Sequence, residues 1–160
     1  GTSRNPQIVK GLDYGVTCHY PSQNFRMTEI AGILGLYQLK RLDQFVKVRT
    51  WIADEYRKQL ADVPGINLLP RHEGHSYLLD KEIDRQEFAR ILLHEYGIQT
   101  ANAYDPPIHK QEIFEQYADE LVVANDVLSR HISLPMYITL NADDIKVIAM
   151  CVKDAADRSK

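Results

Sequence analysis

The spacing of apolar residues along the chain predicts several helices separated by a few short strands. The first predicted helix covers residues 27–39, and Asn24 or Thr28 is suited to cap it. Its apolar side chains fall on nearly every face and are Ile30, Ile33, Leu34, Leu36, Tyr37 and Leu39. A helix that is apolar all round must be buried in its own protein or covered by a partner chain.

A second helix has a single apolar face. Asp43 is its predicted N-cap, and the helix should end near Asp62 because Pro64 and Gly65 follow. Its apolar positions repeat with the period of a helix and are Phe45, Val48, Ile52, Tyr56 and Leu60.

Two later helices carry clear end signals. Asp84 and Glu87 resemble a capping box, and Gly97 stands where a C-terminal cap belongs. The core face predicted between them is Phe88, Ile91, Leu92 and Tyr96. Asn141 caps the last helix, whose predicted buried stripe is Ile145, Ile148, Val152 and Ala155.

Short strands are predicted between the helices. The predicted strands cover 66–69, 75–79 and 98–104, and two further short helices cover 111–117 and 121–131. Pro106 and Pro107 end the third strand, because proline cannot donate a hydrogen bond to a sheet. The alternation of helices with short strands indicates an α/β or α+β layer structure.

The composition limits the class of protein. The 160 residues include 19 basic and 22 acidic side chains, a net charge of −3, and 44% are hydrophobic. These values are typical of a globular domain and argue against a nucleic-acid-binding protein. The longest uncharged apolar stretch, 30–39, is too short to span a bilayer, and no leader pattern opens the sequence. Cys18 and Cys151 form no disulfide framework, so a reduced, cytoplasmic protein is expected.

Two places combine polar side chains suited to ligand binding. Asn24 and Arg26 stand just before the first helix, and an amide and a guanidinium beside a helix N-terminus suit a phosphate or carboxylate. The alternative is that Asn24 only caps the helix. Pro106 and Pro107 stiffen the backbone before His109, which is either a positioned imidazole at a strand end or a surface histidine on a rigid turn.

No metal site is expected from the histidines and cysteines. His72 and His75 are three residues apart, but Gly74 between them favours a loop, and no third ligand is evident. Cys18 and His19 are only neighbours in sequence, without the third group that orients a catalytic dyad.

Six sequence motifs form a recognisable series along the chain. The first is a helix pair, NFRMTEI at 24–30 followed by GLYQLKRLD at 35–43. The others are PGI at 64–66, HSY at 75–77, GIQT at 97–100, PPIH at 106–109 and LPM at 134–136. Together, over about residues 20 to 155, they resemble in order and nearly in spacing the DegT/DnrJ/EryC1/StrS aminotransferases, which are pyridoxal-phosphate-dependent sugar aminotransferases.

The resemblance implies the C-terminal part of a fold-type I transferase, an α/β protein with an α+β small domain whose helices pack on a short, partly antiparallel sheet. Residues 1–26 would lead in from a large domain that this chain lacks. Residues 27–62 would form a helix pair at a domain or dimer interface, and 63–160 the small C-terminal domain. The protein would be a homodimer.

By the same resemblance, Asn24 would bind the phosphate of pyridoxal 5'-phosphate in the neighbouring subunit. Arg26 would meet the carboxylate of the amino donor, and His109 would lie near the same substrate site. The substrates would be a nucleotide-linked keto sugar and glutamate, with 2-oxoglutarate as the keto acid. No nucleic-acid or membrane partner and no metal are expected.

The chain departs from the family pattern at several positions. The family's Schiff-base lysine lies well before the first motif, and Lys10, the only lysine there, has a different context. No catalytic residue is therefore expected in these 160 residues, which should be inactive alone. Ser22 replaces a glycine, Asp105 stands as an inserted residue before the prolines, Tyr137 replaces a histidine, and the second predicted strand is shortened.

Three functions stay open from the sequence. The first is a sugar aminotransferase, and the second is a pyridoxal-phosphate-dependent sugar dehydratase of the same superfamily, in which histidine replaces the lysine. The third is a non-catalytic α/β module that dimerises through the first helix. The residue that separates the two enzymes is not in this chain.

Overall fold

The computed structural model describes residues 2–4, 16–18, 27–69, 76–103, 105–117 and 121–160. The chain divides into two compact units, Gly1–Arg41 and Leu42–Lys160. In the first unit, strands β1 (Thr2–Arg4) and β2 (Val16–Cys18) pair in antiparallel orientation.

Helix α1 (Glu29–Leu39) also belongs to the first unit, and its N-cap is Thr28, one of the two predicted caps. The Thr28 hydroxyl accepts a hydrogen bond from the Ala31 amide at 3.2 Å. None of the residues of α1 is buried. Its large apolar side chains are between 55% and 76% exposed, together with that of Met27 just before it. This α1 apolar surface consists of Met27, Ile30, Ile33, Leu34, Leu36, Tyr37 and Leu39.

The second unit begins with the long helix α2 (Leu42–Leu60). The elements that follow are β3 (Ile66–Leu68), β4 (Ser76–Leu79), α3 (Arg85–Tyr96), two 3₁₀ turns (Ile108–Lys110 and Glu112–Tyr117), α4 (Val122–Arg130), β5 (His131–Ser133) and α5 (Ala142–Arg158). The predicted alternation of helices with short strands is confirmed.

A three-stranded sheet in the order β3-β4-β5 forms the centre of the second unit, and both neighbouring pairs are antiparallel. Ile66 lies opposite Leu79, and Tyr77 lies opposite Ile132. Beyond β5, a single bridge joins Ala101 to Ser133. The short sheet expected from the sequence is therefore present.

The core of the second unit joins α2, α3 and α5 to the sheet. The apolar positions of α5 predicted from the helical period are all buried, and so are Phe88, Ile91 and Leu92 of α3. The largest fully buried side chains are Tyr56, Tyr77, Phe88, Ile52, Leu60, Leu79, Ile91, Leu92, Ile132, Ile145 and Val152. The hydroxyl of Tyr56 donates to the Pro135 carbonyl at 3.0 Å, so its polar end is paired inside the core.

Local capping explains where the helices of the second unit begin and end. The Asp84 carboxylate accepts from the amides of Gln86 and Glu87, and Gly97 takes the left-handed conformation (φ 67°) that ends α3. Asn141 and Asp144 form a reciprocal capping box on α5. The predicted caps at Asp84, Gly97 and Asn141 are confirmed. The capping-box role predicted for Glu87 is wrong, because its carboxylate pairs with Arg90 at 2.7 Å.

The C-terminal end of α5 returns to the start of α3. Ser159 is only 3% exposed, although it is the last residue but one of the chain. Its carbonyl accepts from the Asp84 amide at 2.7 Å, and its hydroxyl donates to the Ala155 carbonyl at 2.6 Å. The backbone of Asp84 is thus held by Ser159, while its carboxylate caps α3.

Several element boundaries differ from the prediction. Asp43 is not an N-cap, because only Lys40 and Arg41 separate the two helices and α2 already begins at Leu42. Its carboxylate lies in the first turn, where the helix dipole still favours it. The helix predicted to His131 ends at Arg130, since His131 opens β5, a strand too short to show an alternating pattern.

The strand predicted for 98–104 is reduced to the bridge at Ala101 within its described residues. After Ala101, the backbone bonds to a side chain instead of a neighbouring strand, because the Ala103 amide donates to the imidazole of His131. The prediction that Tyr96 lies in the core is wrong, because it is 39% exposed and its hydroxyl donates to Asp154 at 2.7 Å. The predicted helix at 111–117 is a 3₁₀ turn.

Candidate functional site

The predicted site residues fall on different parts of the chain. Asn24 and Arg26 lie outside the residues that the structure describes, as do His19, His72 and His75. The roles expected for Asn24 and Arg26 therefore stay predictions.

His109 is half-buried and is the central residue of the first 3₁₀ turn. The turn is closed by a hydrogen bond from the Lys110 amide to the Pro107 carbonyl at 2.8 Å. The rings of Pro106 and Pro107 restrict the backbone before it, as the sequence predicts. A histidine in this position has a defined place relative to the rest of the second unit.

The imidazole of His109 also has a side-chain partner. Its Nε2 lies 2.9 Å from Oδ1 of Asn125 on α4. An amide oxygen can only accept, so Nε2 donates, and the neutral ring then carries its lone pair on Nδ1. The hydrogen bond orients the ring and leaves Nδ1 as the acceptor atom of its neutral form.

Helix α4, which carries Asn125, is anchored to the sheet through Arg130. One guanidinium nitrogen of Arg130 donates to the Leu79 carbonyl at 2.8 Å, and another contacts Asp126 at 2.6 Å. Lys81 approaches the same carboxylate at 3.4 Å. The Arg130 guanidinium is the main cause that lowers the pKa of Asp126, so this contact is ionic at neutral pH.

A second group of polar side chains lies just before the two prolines. Arg85, the first residue of α3, contacts the Asp105 carboxylate at 2.6 Å. Its hydrogen bond is the main cause that lowers the pKa of Asp105, so the pair stays ionised at neutral pH and is lost only as the pH falls through that lowered pKa. With the Asn102 amide oriented by its hydrogen bonds, its oxygen accepts from Arg85 at 2.7 Å.

The partners of this site cannot be predicted from the sequence. The sequence marks Asp105 only as an inserted residue, and Arg85 only as a neighbour of the α3 cap. Asn125 is 16 positions from His109, within a helix whose pattern shows no sign of a polar role. The structure alone brings these residues together.

The second unit also has a groove of about 830 Å³ between the end of α3, the segment 98–101 and α5. Its lining includes the polar residues Thr100, Ser133 and Asp144, and also Tyr137 and Val147. His109 is not among the residues that line it. The groove and the His109 site are therefore separate features.

The described residues show neither a metal site nor a membrane-spanning helix. Among them, no group of three or more histidine, cysteine, aspartate or glutamate side chains is arranged to hold a metal ion. Within the same residues, no helix is long and apolar enough to cross a membrane.

Comparison with known proteins identifies similar sequences. The family model described as "DegT/DnrJ/EryC1/StrS aminotransferase family" matches residues 7–153. GDP-perosamine synthase of Vibrio cholerae is 31% identical over 162 aligned positions, which cover 94% of this chain and 43% of that protein. dTDP-4-dehydro-2,3,6-trideoxy-D-glucose 4-aminotransferase of Saccharopolyspora spinosa is 35% identical over 130 positions, 76% of this chain and 32% of that protein.

Solved structures share the fold. PseC of Helicobacter pylori, an aminotransferase involved in the biosynthesis of pseudoaminic acid, matches with a TM-score of 0.78 at 24% identity. The match covers 99% of this chain and 43% of that protein. The chain therefore spans less than half the length of the proteins that it matches.

Proposed function

Since the chain belongs to the DegT/DnrJ/EryC1/StrS aminotransferase family, we propose that it is the C-terminal part of a pyridoxal-phosphate-dependent aminotransferase that acts on a nucleotide-linked keto sugar. The family match over residues 7–153 is the observation that carries the proposal. The names of the two relatives, with GDP-linked and dTDP-linked sugars, support the nucleotide-sugar substrate. The fold supports it as well, because the structural neighbours are fold-type I enzymes that cover this chain.

The proposal gives each candidate residue one task. Asn24 binds the cofactor phosphate of the neighbouring subunit, and Arg26 binds the carboxylate of the amino donor, for which glutamate is our choice. His109 binds the substrate near the same site, with Nδ1 as the acceptor. The fixed imidazole of His109, held by Asn125, supports this last task.

Pyridoxal phosphate, when bound, supplies the electron sink for moving an amino group. The lysine that anchors it must lose its proton and is best shielded from water. Every lysine in the described part of this chain is exposed, and Lys58, Lys81 and Lys160 pair with carboxylates. The described residues thus do not form a cofactor site by themselves. This supports the proposal that the anchoring lysine lies in another part of the full-length protein. It also supports the proposal that these residues are inactive alone.

The proposed protein is a homodimer in the cytoplasm. The α1 apolar surface supports the dimer, because exposed apolar patches of this kind mark interaction sites. A reduced compartment suits a chain in which Cys151 is a free thiol.

An assay of the full-length protein tests the proposed activity. The protein is loaded with pyridoxal phosphate and mixed with glutamate and a GDP-linked or dTDP-linked 4-keto sugar. Release of 2-oxoglutarate together with an amino sugar supports the proposal. Loss of water from the sugar without consumption of glutamate would identify the dehydratase. The absence of both reactions would favour the non-catalytic dimerising module.

Replacing Arg26 by alanine in the full-length protein is expected to raise the apparent KM for glutamate about tenfold or more. The reason is that hydrogen bonds to charged groups contribute about 1.5–3 kcal/mol. Steady-state kinetics with varied glutamate measures the effect. Arg49→Ala, which removes an exposed arginine on α2, is the matched control and should leave this KM unchanged. Equal KM values in both variants would remove Arg26 from the donor site.

A further inference from the structure

The ion pair between Arg85 and Asp105 joins the beginning of α3 to the segment that carries His109. Its two residues are 20 positions apart, and the contact is short, at 2.6 Å. The Arg85 side chain is only 15% exposed, whereas that of Asp105 is 49% exposed. Most of the Arg85 side chain is therefore shielded from water, whereas its carboxylate partner is open to solvent.

Arg85 holds the chain on the N-terminal side of Asp105 as well. With the Asn102 amide turned to the orientation that satisfies both its oxygen and its nitrogen, the other terminal nitrogen of Arg85 donates to the amide oxygen at 2.7 Å. In that orientation the amide nitrogen donates to the carbonyls of Ala101 and His131 at 3.3 Å. The Ala103 amide donates to Nδ1 of His131 at 3.2 Å. One guanidinium thus connects α3, this backbone and the start of β5.

The chain on the C-terminal side of Asp105 has little freedom before it reaches His109. Pro106 and Pro107 follow directly, and the 3₁₀ turn closes on the Pro107 carbonyl. His109 then meets Asn125 on α4. The imidazole of His109 is therefore held in two ways. Asn125 bonds to the ring directly, and Arg85 holds the backbone at Asp105, four positions before His109.

We propose that Arg85 and Asp105 are positioning residues, and that their ion pair sets the place of the His109 imidazole for substrate binding. The inference rests on the proposed function of His109. Neither residue touches the substrate itself. Loss of the pair would remove the tie between α3 and the start of the segment 105–109, and we expect the imidazole then to sample positions away from the Asn125 amide.

The first test follows the imidazole directly, in the full-length protein labelled with ¹³C and ¹⁵N in its histidines. His109→Gln identifies the His109 signal by its loss from the spectrum. Asp105→Asn is expected to shift and broaden that signal, and Asp105→Glu, which keeps the carboxylate, to restore it in large part. Glu87→Gln is the matched control, because it removes an exposed ion pair with Arg90 on α3, the helix that also carries Arg85. It should leave the His109 signal unchanged.

The second test measures kinetics of the full-length enzyme. Asp105→Asn should raise the apparent KM for the sugar nucleotide about fivefold or more while kcat stays within about twofold, which is the pattern of weakened substrate binding. Asp105→Glu should return KM most of the way to the original value. A purely structural ion pair would instead lower the yield or stability of both variants without this split between KM and kcat.

An unchanged His109 signal in Asp105→Asn overturns the proposal whatever the enzyme's activity is. If Asp105→Asn folds poorly, Arg85→Lys tests the same contact from the other side, because lysine keeps the charge but lacks the planar fork that donates to Asp105 and Asn102 from two nitrogens. An unchanged signal in that variant overturns the proposal equally. A moved signal with an unchanged sugar KM supports the positioning by the ion pair and overturns the substrate role of His109. A moved signal with a raised KM supports both.

Discussion

Replacing Phe88 by alanine is expected to destabilise the second unit by about 3–5 kcal/mol, as large-to-small changes of buried aromatic residues do. Phe88 lies on α3, is 0% exposed and belongs to the main core cluster. The substitution removes the apolar surface buried by the ring and leaves a cavity that close-packed neighbours fill only in part. Urea unfolding followed by circular dichroism measures the change in free energy.

The matched control is Phe114→Ala. Phe114 lies in the second 3₁₀ turn and is 38% exposed, and it is not a member of the core cluster. Its loss should cost less than about 1 kcal/mol, as is usual outside a core. If both substitutions have the same cost, the core that we assign to α3 is wrong.

Replacing Ile33 by aspartate is expected to weaken the proposed homodimer about 30-fold or more, because placing an unpaired carboxylate in an apolar interface costs at least about 2 kcal/mol. Ile33 belongs to the α1 apolar surface and is 59% exposed in this chain. Sedimentation equilibrium of the full-length protein measures the dissociation constant.

Val123→Asp separates a specific effect of α1 from a general effect of added charge. Val123 lies on α4, is 77% exposed and offers an equally apolar starting side chain. The variant should keep the dissociation constant of the original protein. A comparable loss in both variants would mean that α1 is not the particular surface that joins the subunits.

The features predicted best from the sequence depend on neighbours close in the chain. The cap at Asp84, the left-handed Gly97 and the capping box at Asn141 each act over three or four residues, so the sequence shows them directly. The buried faces of α3 and α5 follow from the helical period in the same way. Tyr96 is the exception, because its hydroxyl finds Asp154 on another helix and draws the ring to the surface.

The features that the sequence could not predict depend on distant partners. β5 has three residues, and its register is set by pairing with β4 rather than by any pattern of its own. The place of His109 is predictable in part, because two prolines before it are a local signal. Its partners are not, since Asn125 is 16 positions away and the Arg85–Asp105 pair spans 20. Such pairings arise only when the helices have packed.

The buried Ser159 has a practical consequence for anyone who trims or extends this polypeptide. Because its carbonyl receives the Asp84 amide, deletion of the final two residues would leave that donor without its acceptor next to the start of α3. Any shortened version of this polypeptide should therefore keep Ser159 in place. A truncation that removes Ser159 would thus act on the folding of the α3 start.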